Sequence, residues 1–72
     1  MDSWKNHTSI LVDVYIAADD AGFMKFHEKD TGVWWKNVET GADECYAGRW
    51  QTMRLDLTAV TKDAEHIWMW CA

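Results

Sequence analysis

Proline is absent from the 72 residues, serine occurs only as Ser3 and Ser9, and the two cysteines, Cys45 and Cys71, form no C-x-x-C pair. Each shortage excludes something. Without proline, glycine and aspartate are left as the main punctuation of the chain. With two serines and no glycine-rich phosphate loop, neither a nucleophile elbow nor a P-loop is present. Two distant cysteines make no dense disulfide framework. Long apolar runs are missing too: the stretch from Ile10 to Ala18 is broken by Asp13 and falls far short of a membrane span. The opening Met1-Asp2-Ser3-Trp4-Lys5 lacks the apolar core of a signal peptide, so the expected setting is cytoplasmic with reduced thiols. Asn6-His7-Thr8 matches a glycosylation sequon, but without a secretory signal the match carries no weight.

Six tryptophans, two tyrosines and two phenylalanines are present instead. A single domain of this length buries only about 60% of its unfolded surface, so large aromatics must supply much of the burial. The formal charge is −5, from twelve acidic against seven basic side chains. The acids are scattered, which describes a solvated folded surface and not a disordered tail. Long-range repulsion disfavours nucleic acid and anionic membranes as partners and favours a basic protein.

Alternation organises the chain. Ile10, Val12, Val14 and Ile16 lie on one face of a strand spanning Ser9 to Ala17, with Leu11, Asp13 and Tyr15 on the other. Ala18 to Gly22 supplies turn residues, and Phe23 to Glu28 reads as the returning strand. Lys29-Asp30-Thr31-Gly32 is a hairpin loop with glycine placed for positive φ, followed by a strand from Val33 to Glu39. Trp34 and Trp35, as neighbours, point to opposite faces, one to the core and one to the surface. Around residues 42–50 two readings compete. Ala42, Cys45, Tyr46, Trp50 and Met53 recur at helical spacing, whereas Gly48 favours a bent strand with a bulge. Met53, Leu55 and Leu57 define a further strand, Thr61 to Glu65 a polar connection with one helical turn, and His66 to Cys71 a closing strand. The expected fold is mainly β: one domain over residues 1–72, a small antiparallel sheet or barrel of four to five strands, with or without one short helix at residues 42–50.

Asp30-Thr31-Gly32 matches the short signature of aspartic proteases, but Lys29 stands where that pattern has an apolar residue, and a hairpin turn explains all three. His7, His27, His66, Cys45 and Cys71 include no close pair of the kind that fixes a zinc site, and both cysteines sit among apolar residues. No metal, cofactor or catalytic residue is expected, and the chain is not read as an enzyme.

The final strand carries the clearest functional signal. Ile67, Met69 and Cys71 occupy one side and Trp68 and Trp70 the other, so it is apolar on both faces and one face needs a cover. Tryptophan and arginine dominate binding hot spots. The expected partner-binding set is Trp50, Arg54, Trp68 and Trp70 with the flanking acids Asp56, Asp63 and Glu65. On this reading the chain binds another protein as an inhibitor or adaptor. By analogy of type with phage antirestriction and anti-CRISPR proteins, it covers a basic nucleic-acid-binding surface. One alternative is a platform stacking single-stranded nucleic acid or sugar, with Lys25, Lys36, Arg49 and Arg54 in support. Another is a structural homodimer that pairs its aromatic face with itself.

Overall fold

A computed structural model of the chain describes residues 3–17, 22–61 and 63–71. It is mainly β, as the alternation predicts. The strands are β1 (Ser9–Tyr15), β2 (Phe23–His27), β3 (Lys36–Asn37), β4 (Glu44–Tyr46), β5 (Trp50–Asp56) and β6 (Trp70–Cys71), with short 3-10 turns at Ser3–Asn6 and Leu57–Ala59. No helix among the described residues is long and apolar enough to cross a membrane.

Two antiparallel sheets of three strands, ordered β1-β5-β3 and β4-β2-β6, replace the expected single sheet or barrel. In the first, β1 and β5 pair residue for residue from Ser9–Asp56 to Tyr15–Trp50. That register stacks Ile10, Val12 and Val14 beside Leu55, Met53 and Gln51 on the inner face. The core is completed by buried Trp35, Cys45, Leu57, Val60 and Ala64, with Trp4, Phe26, Val33, Ile67 and Met69 packed against it. Trp35 is buried and Trp34 exposed, as their opposite parity requires.

Several boundaries differ from the alternation. The helix considered at residues 42–50 does not form: Gly48 takes φ +86° and the chain turns there between β4 and β5. The third strand shrinks from Val33–Glu39 to Lys36–Asn37 plus a bridge from Trp34 to His27. The closing strand shrinks to Trp70–Cys71, and Cys71 is exposed instead of sharing the core side with Ile67 and Met69. Cys45 is buried, and burial pushes its thiol pKa up, so it acts as a small apolar side chain. Gly22 has positive φ as a turn requires, while the rest of the turn expected at Ala18 to Gly22 lies outside the described residues.

The 3-10 turn after β5 is capped by Asp56, whose Oδ1 accepts from the N–H (3.0 Å) and hydroxyl (2.6 Å) of Thr58. These bonds hold the Asp56 carboxyl below its ordinary pKa. A carboxyl lowered in the folded state stabilises above the unfolded value of about 3.9, and that contribution fades as pH falls through the folded value. Asp56→Ala should therefore lower the thermal midpoint at neutral pH, and the difference from wild type should shrink in melts run progressively below pH 4.

Candidate functional site

The outer face of the second sheet is built by parity. Along β2 and its continuation, Lys25, His27 and Lys29 fall on one side, opposite the half-buried Met24 and Phe26 and the buried Glu28. Hairpin pairing across the Lys29–Gly32 loop sets Trp34 opposite His27, and β6 sets Trp70 opposite the same histidine from the other flank. His27 therefore stands between two tryptophans, edge-on to both, with ring centroids at 5.7 Å from Trp34 and 6.4 Å from Trp70. Lys25 Nζ lies 6.0 Å from the Trp34 centroid. Lys29 Nζ sits between the last two tryptophans, 5.2 Å from Trp68 and 5.1 Å from Trp70. His66 meets Trp68 edge-on at 6.0 Å. The result is one exposed strip in which Trp34, Trp70 and Trp68 alternate with cationic or imidazole groups, a geometry favourable to cation–π contact.

Trp68 also borders an acidic depression. Asp30, Asp63, Glu65 and His66 line it together with Thr61 and Ala64, around an open volume of about 540 Å³. Asp30 comes from the hairpin loop and the others from the chain leading into β6, where a bond from the Ala64 N–H to the Thr61 carbonyl (3.2 Å) closes a turn.

Glu28 fixes these two pieces to each other. Its side chain is fully buried. Oε1 accepts from the N–H of Asp30, the N–H of Thr31 and the hydroxyl of Thr31, each at 3.0 Å. Oε2 accepts from the Trp68 N–H at 3.1 Å. The Asp30-Thr31-Gly32 turn forms as expected, with Gly32 at φ +73°, but the carboxylate that organises it belongs to Glu28 and not to Asp30.

Of the seven residues expected to bind a partner, the structure gathers Asp63, Glu65 and Trp68 at the depression, with Trp70 beside them through Lys29. Trp50 and Arg54 do not join them. Both lie on the outer face of the first sheet, Trp50 against Tyr15 at 5.5 Å and Arg54 between Leu11 and Lys36 in register. Asp56 is engaged in capping Thr58. Sequence reasoning passed over Trp34, His27, Lys29, Asp30 and Glu28 as members of this surface. Pairing the expected hairpin across its four loop residues already sets 27 opposite 34, so Trp34 was within reach. Among the described residues, no three of His, Cys, Asp and Glu gather to hold a metal ion.

No known protein family, curated protein or solved structure matches the chain.

Proposed function

We propose that the chain is a protein-binding domain, acting as an inhibitor or adaptor, that takes a basic segment of its partner at Trp68, Trp70 and the adjoining carboxylates. The observation that carries this reading is the acidic depression: Asp30, Asp63 and Glu65 surround a volume that admits an arginine or lysine side chain, and Trp68 supplies an aromatic wall. A partner cation there gains carboxylate contacts and a ring face together. Trp70, 52% exposed, adds apolar contact area at the rim. The net charge of −5 steers the approach of a basic surface. Seated on a basic nucleic-acid-binding groove, the chain would exclude the nucleic acid, which is the action expected of a phage-type antirestriction or anti-CRISPR inhibitor. On another basic partner it would serve as an adaptor. The cytoplasmic setting read from the sequence belongs with this proposal.

One alternative has an observation of its own. Lys25 and Lys29 interleave with Trp34, Trp68 and Trp70, as in platforms that stack bases while neutralising phosphates.

Titration of tryptophan fluorescence with an arginine-rich peptide, a glutamate-rich peptide of equal length and a single-stranded oligonucleotide separates the two. The arginine-rich peptide should bind with a strong salt dependence. Trp68→Ala should weaken it about tenfold or more, and Asp63→Asn with Glu65→Gln should flatten the salt slope. Unchanged affinity in Trp68→Ala, or binding of the oligonucleotide alone, overturns the basic-partner reading.

A further inference from the structure

Among the described residues, the longest free strand edge belongs to β1. Its sheet runs β1-β5-β3, and among the described residues no strand pairs along its outer side. β1 has seven residues, against two in β3, three in β4 and two in β6. Natural proteins protect such edges with proline, lysine or a bulge. β1 contains no proline and no lysine, and its residue-for-residue register with β5 leaves no bulge. Its one charge, Asp13, accepts a 2.6 Å bond from the Thr52 hydroxyl, which turns the carboxylate onto the sheet face and off the edge.

Parity identifies the free backbone groups. The Leu57 N–H donates to the Thr8 carbonyl, the Gly48 N–H to the Ile16 carbonyl and, on the far side of β5, the Val38 N–H to the Thr52 carbonyl. Bonding direction alternates along an antiparallel ladder, so Ile10, Val12 and Val14 bond toward β5. The N–H and C=O groups of Ser9, Leu11, Asp13 and Tyr15 then point outward. Ile10, Val12 and Val14 pack on the core but remain only half-buried, so the core is open along this same edge.

We propose that a second copy of this chain pairs antiparallel along β1, joining two three-stranded sheets into one continuous sheet. A two-fold arrangement that matches outward groups to outward groups and pairs at least five residues of β1 has its centre at Leu11, Val12 or Asp13. Centring on Asp13 sets two carboxylates opposite each other, which is destabilising. Centring on Leu11 leaves Val14 facing Thr8 of the second copy. Centring on Val12 engages all seven residues and sets Ile10 against Val14 and Val12 against Val12, so one aliphatic row runs through both cores. The Val12 centre is the register of the dimer. This contact differs from the aromatic-face pairing considered from the sequence, and it leaves the Trp68 surface open on each copy.

Sedimentation of the full chain across a dilution series tests the proposal with three variants. Leu11 is 60% exposed on the outer face and faces Asp13 of the second copy in the Val12-centred register, so Leu11→Glu sets like charges against each other across the dimer without touching the core. Leu11→Pro removes an N–H that points outward and spares the bonds to β5. Wild type should dimerise, and each Leu11 variant should weaken the dimer about tenfold or more. Thermal melts of Leu11→Glu should not fall below the wild-type midpoint under dilute, monomeric conditions, since residue 11 faces Arg54 within the chain. Added salt should tighten the dimer, since each copy carries −5. Trp70→Ala should leave it intact. A chain that stays monomeric at every concentration, a dimer indifferent to Leu11→Glu, or one abolished by Trp70→Ala overturns the proposal.

Discussion

Replacing Glu28 with alanine should cost about 3 kcal/mol or more and should detach the C-terminal arm that carries Trp68 and Trp70. Four donors lose their acceptor at once: the N–H groups of Asp30, Thr31 and Trp68, and the Thr31 hydroxyl. Hydrogen bonds to a charged acceptor are each worth about 1.5–3 kcal/mol, and exposed loop donors recover part of that from water. A chain of this size has a total stability on the order of 4–11 kcal/mol, so the loss is a large fraction. Glu28→Gln divides the effect. One oxygen remains for the hairpin loop, while the amide nitrogen faces the Trp68 N–H, donor against donor. The conservative variant should keep the loop and loosen the arm. Chemical denaturation gives the stability, and amide exchange at Thr31 and Trp68 reads the two halves separately. A Glu28→Ala variant within about 1 kcal/mol of wild type, with Trp68 still protected, would show that the arm is held by the packing of Ile67 and Met69 instead.

This carboxylate marks where sequence reading stops. Period-two alternation places Ile10, Val12 and Val14 on one face of β1, and adjacency separates Trp34 from Trp35, because both follow from the pleat alone. Gly32 at positive φ follows from local turn chemistry. Glu28 does not: a glutamate before a turn looks solvated until a backbone N–H forty residues away is known to reach it. Strand partners are likewise non-local. Alternation assigns a face to each strand but not a neighbour, so β4 and β5, adjacent in sequence, fall in different sheets once the chain turns at Gly48. The helical spacing of Cys45, Tyr46, Trp50 and Met53 spans that turn, and it ends with Cys45 and Met53 buried and Trp50 72% exposed. The candidate surface was legible in part for the same reason. Trp68 and Trp70 follow from strand parity, whereas Asp30 and Lys29 come to them through the Glu28 tie.

Asn37→Ala should be nearly as costly as the loss of Glu28, because Asn37 and Gln51 join the two sheets through a buried amide pair. Asn37 is fully buried in β3. Its Oδ1 accepts from the N–H groups of Glu39 (2.9 Å) and Thr40 (3.4 Å), and its Nδ2 donates to the Glu44 carbonyl (3.3 Å) and to Gln51 Oε1 (3.2 Å). Gln51 Oε1 also accepts from the Tyr46 N–H at 2.7 Å, and its Nε2 donates to the carbonyls of Tyr46 (2.7 Å) and Arg49 (3.0 Å). The Gln51 amide thus meets both backbone groups of Tyr46, as a neighbouring strand residue would, and supplies β4 with pairing across the gap between sheets. Truncating either side chain strands buried partners, so each alanine variant should lose about 2–4 kcal/mol. The two losses should not add. Once one amide is gone the other has lost its partner, and the double variant should fall short of the sum by about 1 kcal/mol or more in a denaturation cycle. Additive losses would mean that each side chain serves its own turn, Asn37 the loop at Glu39–Thr40 and Gln51 the turn at Arg49, and that the sheets are held together by the apolar core alone.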